Sequence, residues 1–216
     1  MLLGLVGSEM CIRDRIYQHR VDALASKLAS LIRPGQKVLD VGSGDGEVAI
    51  GISKKIDIDV TGIDVVPRTT NKIPITMYDG KKIPFDDESF NVVMVCDVLH
   101  HTEIPLDCLA EIVRVSDSYI VIKDHLCEGY WSYLILRLMD WVGNAHIGVA
   151  LPYNYYSRSQ WESAFEKLNL TVVKWDEDIQ LYRRPLQFFF GRKLHFVALL
   201  KNCLLYTSDA ADESVS

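Results

Sequence analysis

The sequence lacks a run of about 20 uninterrupted apolar residues, a closely spaced cysteine pair, and any cluster of lysine and arginine long enough to follow a phosphate backbone. Each absence removes a class of function: membrane spanning, a disulfide framework, and nucleic-acid binding as a default. The opening residues Met1-Leu2-Leu3-Gly4-Leu5-Val6 have neither the basic start nor the apolar length of a secretory signal. A cytoplasmic protein is the expectation. No close multidentate spacing joins the histidines and cysteines, so no metal site is expected. Ser43 stands outside any nucleophile-elbow pattern, which argues against serine hydrolase chemistry.

What is present suffices for one elaborated domain: 216 residues, 49% hydrophobic, with a net charge of -6. The two ends stand apart. Gly7 to Arg15 and Cys203 to Glu213 resemble translated sequencing-adapter sequence, so residues 1–15 and 203–216 are expected to be artefactual extensions flanking a domain over 16–201. Asp209, Asp212 and Glu213 lie in the second of these without a base, so the remaining acidic balance is mild. Cys11 and Cys203 also fall there, which leaves Cys96, Cys108 and Cys127 as widely spaced thiols suited to a reduced state.

The most informative run is Val38-Leu39-Asp40-Val41-Gly42-Ser43-Gly44-Asp45-Gly46, a buried strand that breaks into a glycine-rich turn and enters a helix. Glycines there remove the Cβ atoms that would keep a ligand away from the backbone amides. Around it, apolar spacing predicts a helix over Ile16 to Ile32 and strands at Lys37 to Val41, Ile58 to Ile63, Ile73 to Met77, Phe90 to Val95 and Tyr119 to Ile122. Short helices are expected around Val48 to Ile52 and over Pro105 to Val113. Later come a largely apolar helix over Trp131 to Trp141, a Gly, Asn, Pro and Tyr-rich loop over Gly143 to Tyr156, and a helix capped by Ser157 or Ser159. Two late strands follow, Thr171 to Trp175 and Leu194 to Leu200. The alternation implies an α/β, doubly wound, mostly parallel sheet.

Asp40, the Gly42-Ser43-Gly44-Asp45-Gly46 turn, Asp64, and Asp79-Gly80 with Ile83-Pro84-Phe85 together resemble the class I methyltransferases that use S-adenosylmethionine. That resemblance implies a three-layer doubly wound sandwich with a seven-stranded sheet and an antiparallel late strand. It also implies S-adenosylmethionine as cofactor, with Asp40, Gly42, Ser43, Gly44 and Gly46 around the aminoacyl end. Asp64 and the adjoining Val65 would hold the ribose, Asp79 the adenine amino group, and Gly80 the turn around the base. Asp97 would lie near the sulfur, with Val98 as apolar lining. Asp64 stands 24 positions after Asp40, the distance expected for a carboxylate at the tip of the second strand. A nicotinamide dehydrogenase is the rival, but Asp40 suits an ammonium better than a pyrophosphate. Asp45, Asp79 and Asp97 have an alternative reading as helix-cap or turn acids.

On the acceptor side, His100, His101 and His125 follow strands at their carboxyl ends, where an α/β sheet opens its crevice. His125 is the candidate acid/base residue. Residues 126–157 are expected to form a substrate lid, with His101, His125, Trp141, Asn144, His146, Tyr153 and Tyr156 as candidate contacts, unless the aromatics close the core instead. The expected reaction is methylation of a small-molecule O, N or C acceptor, with an aromatic or lipid-like molecule as the preferred class. The alternative is a cofactor-binding or partner subunit without turnover. Transient contact with a membrane surface is a minor option through the apolar residues around Trp131 and Phe188. Oligomeric state is not legible.

Overall fold

Aliphatic residues alternate along the strands so that one set faces each side of a central sheet. In Phe90–Cys96, Val93 and Val95 pack into one apolar cluster while Val92 and Met94 pack into the other. The computed structural model describes residues 3–144, 151–184, 186–191 and 193–203, with side chains from residue 15 onward except those of 144 and 189. In chain order the elements are α1 (Leu3–Ala29), β1 (Lys37–Val41), α2 (Glu47–Ser53), β2 (Asp59–Asp64), β3 (Ile75–Met77) and β4 (Phe90–Cys96). A 3-10 turn (Leu99–His101), α3 (Pro105–Val115), β5 (Ser116–His125) and α4 (Tyr130–Asn144) follow. The remainder is α5 (Arg158–Lys167), β6 (Leu170–Asp176), α6 (Leu186–Phe190) and β7 (His195–Asn202).

The seven strands form one sheet in the order β3-β2-β1-β4-β5-β7-β6. Strands β3 through β5 pair in parallel, and β7 runs antiparallel to both β5 and β6. One face is covered by Leu109, Ile112, Trp161 and Phe165 from α3 and α5, the other by Leu24, Leu28, Ala49 and Ile52 from α1 and α2. The expected three-layer doubly wound architecture, with an antiparallel late strand, is therefore the one observed. Strand order reverses between β1 and β4, so the crevice of a doubly wound sheet falls beyond their carboxyl ends.

Local differences from the sequence reading have physical reasons. Helix α1 starts at Leu3 rather than Ile16 and ends at Ala29 rather than Ile32, where the amide of Leu31 turns back to the carbonyl of Leu28 in a tighter i to i+3 bond. Strand β5 continues through Lys123, Asp124 and His125, three polar residues that would normally end a buried strand but have partners here. Ser157, rather than Ser159, caps α5 in a reciprocal capping box with Gln160. The short α6 lies in a segment that carried no helical periodicity.

Gly62 in β2 packs directly beneath the glycine turn. A Cβ added there would stand 2.5 Å from Ser43 Oγ and 2.8 Å from Ser43 Cβ. Gly62→Ala is expected to lower stability by about 1–3 kcal/mol through overpacking, measured as a shift of the urea midpoint at constant slope. An unchanged midpoint would show that the turn yields without cost.

Candidate functional site

The turn after β1 is pinned to the end of β2. The amides of Gly42 and Ser43 donate to the carbonyl of Ile63 at 2.8 and 3.1 Å. Asp64 then accepts the amide of Gly44 at 2.7 Å through one carboxylate oxygen and that of Val66 at 2.7 Å through the other. Gly42 and Gly44 have φ of 70° and 60°, a region that disfavours side chains. At Gly42 an added Cβ would meet Val98 Cγ2 at 2.3 Å, so Val98 closes over the turn. At Gly44 it would meet nothing within 4 Å, which leaves open space above a backbone held in place by a carboxylate. Gly46 adopts the left-handed conformation as the N-cap of α2, and Asp45 accepts the amide of Glu47 at 3.2 Å, its turn-acid reading.

Asp40 is buried within β1, where burial and the neighbouring Asp64 push its carboxyl up to about 8. The Asp64 carboxylate, the neighbouring Asp40 carboxyl and the open space at Gly44 fit a cationic nucleoside with an ammonium end. Val65 is half exposed and lies 3.2 Å from where a Cβ on Gly80 would stand, which brings the Asp79-Gly80 turn beside it. Asp79 is fully exposed and accepts the amides of Lys81 and Lys82 at 2.9 and 3.2 Å, so its carboxylate shapes its own turn.

The Asp40 position has a measurable consequence. A carboxyl raised above its unfolded value keeps a proton that the unfolded chain has lost, so its effect on stability worsens as pH rises from about 4 toward 8. Binding a cationic ligand beside it favours the ionised form. Calorimetry in buffers of different ionisation enthalpy is expected to show proton release on S-adenosylmethionine binding at about pH 7, lost in Asp40→Asn. Equal heats in all buffers would refute that linkage.

Asp97 sits at the end of β4 with φ of 57°. Its carboxylate is gripped by Lys123 Nζ, which is fully buried, and by Arg20 Nη2 of α1 at 2.5 Å. Burial alone would raise this carboxyl, but Lys123 and Arg20 hold it well below the usual range.

Beside it, the 3-10 turn and β5 bring His100, His101 and His125 together. His100, from the 3-10 turn, places Nδ1 2.6 Å from Asp124 Oδ1 of β5, and Nε2 faces Asp140 Oδ2 of α4 at 3.4 Å as an ion contact without hydrogen-bond alignment. Asp140 also accepts the hydroxyl of Tyr155 at 2.5 Å, and Asp124 accepts the amides of Leu99 and His125 at 3.1 and 2.6 Å. Burial opposes the charge on His100, but Asp124 and Asp140 push it up to about 10. His125 is buried with Nδ1 3.6 Å from Asp124 Oδ1 and 4.0 Å from Asp97 Oδ1, and burial together with His100 pushes it down to about 4. His101 is half-buried, with its ring centroid 4.0 Å from that of His100.

Of the other candidates, Trp141, Tyr153 and Tyr156 lie in different surroundings. Trp141 is 60% exposed on the outer side of α4. Asn144 is the last residue of α4, its side chain outside the described residues, and His146 lies outside them altogether. Tyr153 stacks under Arg137 at 4.8 Å, while Tyr156 packs on Trp161 at 5.1 Å and closes the core. Sequence reasoning did not single out Arg20, Lys123, Asp124, Asp140, Tyr155 or His195. Only Lys123-Asp124-His125 carried a signal, as three polar residues at the end of an apolar strand.

Among the described residues, two groups bring metal-binding atom types within 4.8 Å of one another: Asp97, His125 and His195, and His100, His125 and Asp140. Sequence spacing gave no hint of either. In the first, Asp97 already pairs with two cations, and His195 Nδ1 faces Lys123 Nζ at 3.3 Å. In the second, both nitrogens of His100 face carboxylates. Both groups read as ion-pair and hydrogen-bond networks rather than metal centres.

Comparison with known proteins identifies the family. The methyltransferase domain family matches residues 13–174. A ubiquinone/menaquinone biosynthesis C-methyltransferase of Cupriavidus metallidurans is 26% identical over 65% of this chain and 66% of its own length. The 27-O-demethylrifamycin SV methyltransferase of Amycolatopsis mediterranei is 31% identical over 36% of this chain and 34% of its own. The chain thus spans about 66% of the length of the first of these relatives. In fold, it resembles the structure of the complex between the Haloferax volcanii Trm112 methyltransferase activator and a methyltransferase, with a TM-score of 0.66, 17% identity, and coverage of 90% of this chain and 95% of the other. With the family matched over most of its length and the donor turn in the corresponding form, the chain belongs to the class I S-adenosylmethionine-dependent methyltransferases.

Proposed function

We propose that this chain transfers a methyl group from S-adenosylmethionine to an oxygen or carbon atom of a small aromatic or lipid-like molecule. The carrying observation is the juxtaposition, across β1 and β4, of an amide turn held by Asp64 with a buried histidine corner at the ends of β4 and β5. When bound, the cofactor supplies an electrophilic methyl group on a cationic sulfur. Asp40, Gly42, Ser43, Gly44, Gly46, Asp64, Val65, Asp79, Gly80, Asp97 and Val98 are the proposed residues of its pocket. The names of the two relatives, one a C-methyltransferase in quinone biosynthesis and one acting on a rifamycin oxygen, support carbon and oxygen acceptors.

His125 is the proposed proton acceptor. Its Nδ1 turns toward Asp124 and Asp97, which leaves Nε2 as the nitrogen available to an acceptor. A ring with a pKa of about 4 is a neutral imidazole at neutral pH, with one N–H and one free nitrogen lone pair. It is a weak base, yet adequate for an oxygen or carbon that has just gained a methyl group, because that centre is far more acidic than an imidazolium. A methylated amine would keep its proton, so nitrogen acceptors fit less well. The domain responsible is taken as residues 16–201, with about 126–157 on the acceptor side and His101, Trp141, Asn144, His146, Tyr153 and Tyr156 as candidate contacts. A cytoplasmic setting without nucleic acid suits this reading. No helix among the described residues is long and apolar enough to cross a membrane. Any transient membrane contact would use the exposed Trp131, Leu134, Leu138 and Trp141 of α4.

The experiment is incubation of the protein with isotope-labelled donor and fractionated metabolite extracts, read by untargeted mass spectrometry. A product carrying one labelled methyl on oxygen or carbon, with matching adenosylhomocysteine, is the expected result. Donor binding without any labelled product across diverse extracts would favour a cofactor-binding subunit instead.

A further inference from the structure

Three carboxylates meet at the ends of β4 and β5: Asp97, Asp124 and Asp140. Arg20 and Lys123 both form their ion pairs with Asp97. His100 lies between those two, 2.6 Å from Asp124 and 3.4 Å from Asp140, with its side chain almost fully enclosed. Charge balance in this low-dielectric corner thus needs a third cation, and His100 is the group placed to supply it.

The other two rings are placed to stay neutral. His125 Nδ1 is 3.2 Å from His100 Nδ1, so full protonation of both rings would set two like charges side by side. Around His125 stand Asp97, Asp124, Lys123, His195 and Tyr155; around His100 stand Asp124, Asp140, His101, His125 and Tyr155. His195 Nε2 lies 3.2 Å from the carbonyl of Phe190 and so donates to it, which leaves Nδ1 to accept from Lys123.

We infer that His100 is a fixed cation and a positioning residue, locked between Asp124 and Asp140, which keeps the adjacent His125 ring neutral and ties α4 and Tyr155 to the strand ends. Its catalytic consequence rests on the reading of His125 as proton acceptor; its charge state does not. A device of this kind places a permanent positive charge where an ordinary histidine would titrate. Removing it frees His125 to bind a proton near neutral pH and releases Asp140 from the strand ends.

The test is long-range proton-nitrogen NMR of the full chain labelled with nitrogen-15 in its histidines, titrated from about pH 5 to 11. Rings are assigned with His100→Gln and His125→Asn. In the unaltered protein His100 is expected to remain an imidazolium up to about pH 9 and His125 to remain neutral. In His100→Gln the His125 midpoint is expected to rise by a unit or more toward about 6.5. Should His100→Gln not fold, Asp140→Asn keeps His100 and Asp124, and its His100 midpoint is expected to fall by at least about one unit. A neutral His100 at pH 7 overturns the inference. So does an unmoved His125 midpoint in folded His100→Gln, or an unmoved His100 midpoint in Asp140→Asn. Absence of methyl transfer beside a charged His100 would instead remove the functional reading and leave this one standing.

Discussion

Asp64→Ala is expected to weaken adenosylhomocysteine binding by about 100-fold or more, measured by calorimetry, while the protein remains folded. The carboxylate accepts two backbone amides, Gly44 and Val66, that hold the turn in its open shape. Hydrogen bonds to a charged group contribute about 1.5–3 kcal/mol each, so losing both removes most of the preorganisation before any direct contact with a ribose is counted. Asp79→Ala is the comparison. That carboxylate is solvent-exposed and bonds only the amides of its own turn, so a loss several-fold smaller is expected. Equal losses in both variants would show that Asp64 has no organising role.

The second large effect concerns stability. Asp97→Ala would leave Lys123, fully buried, without its carboxylate partner, with Arg20 also unpaired beside it. Breaking a buried pair from one side costs about 3–5 kcal/mol, because the remaining charge is desolvated and uncompensated. The double variant Asp97→Ala with Lys123→Met removes that charge and is expected to recover at least about half of the loss in urea unfolding. No recovery would mean that the pair itself contributes the stability. The sign of the pH dependence follows from the lowered Asp97 carboxyl. Its contribution is present above the ordinary carboxylate range and is lost as pH falls through the lower value in the folded protein.

The sheet was legible because its strands are continuous aliphatic runs separated by turn residues, and the donor turn because glycines and carboxylates lie close along the chain. Lys37–Val41 has the bounds that the sequence predicts, and Gly44 meets Asp64 only one strand away. The acceptor corner was not legible for the opposite reason. His100, Asp124, Asp140 and Tyr155 are far apart in sequence and on four different segments, and Asp140 reads locally as a polar residue on an apolar helix. Arg20 falls on a helix whose pattern reports only Val21, Leu24, Ala25 and Leu28 packing on the sheet. Tyr153 and Tyr156 drew attention as aromatics, but Tyr155 between them is the one beside His100, and no spacing rule separates the three.

The reversed strand β7 slots between β5 and β6, and its first residue, His195, stacks against His125. The turn after β1 thus draws on neighbouring stretches of chain, whereas the histidine corner closes only when the most distal described strand joins the sheet.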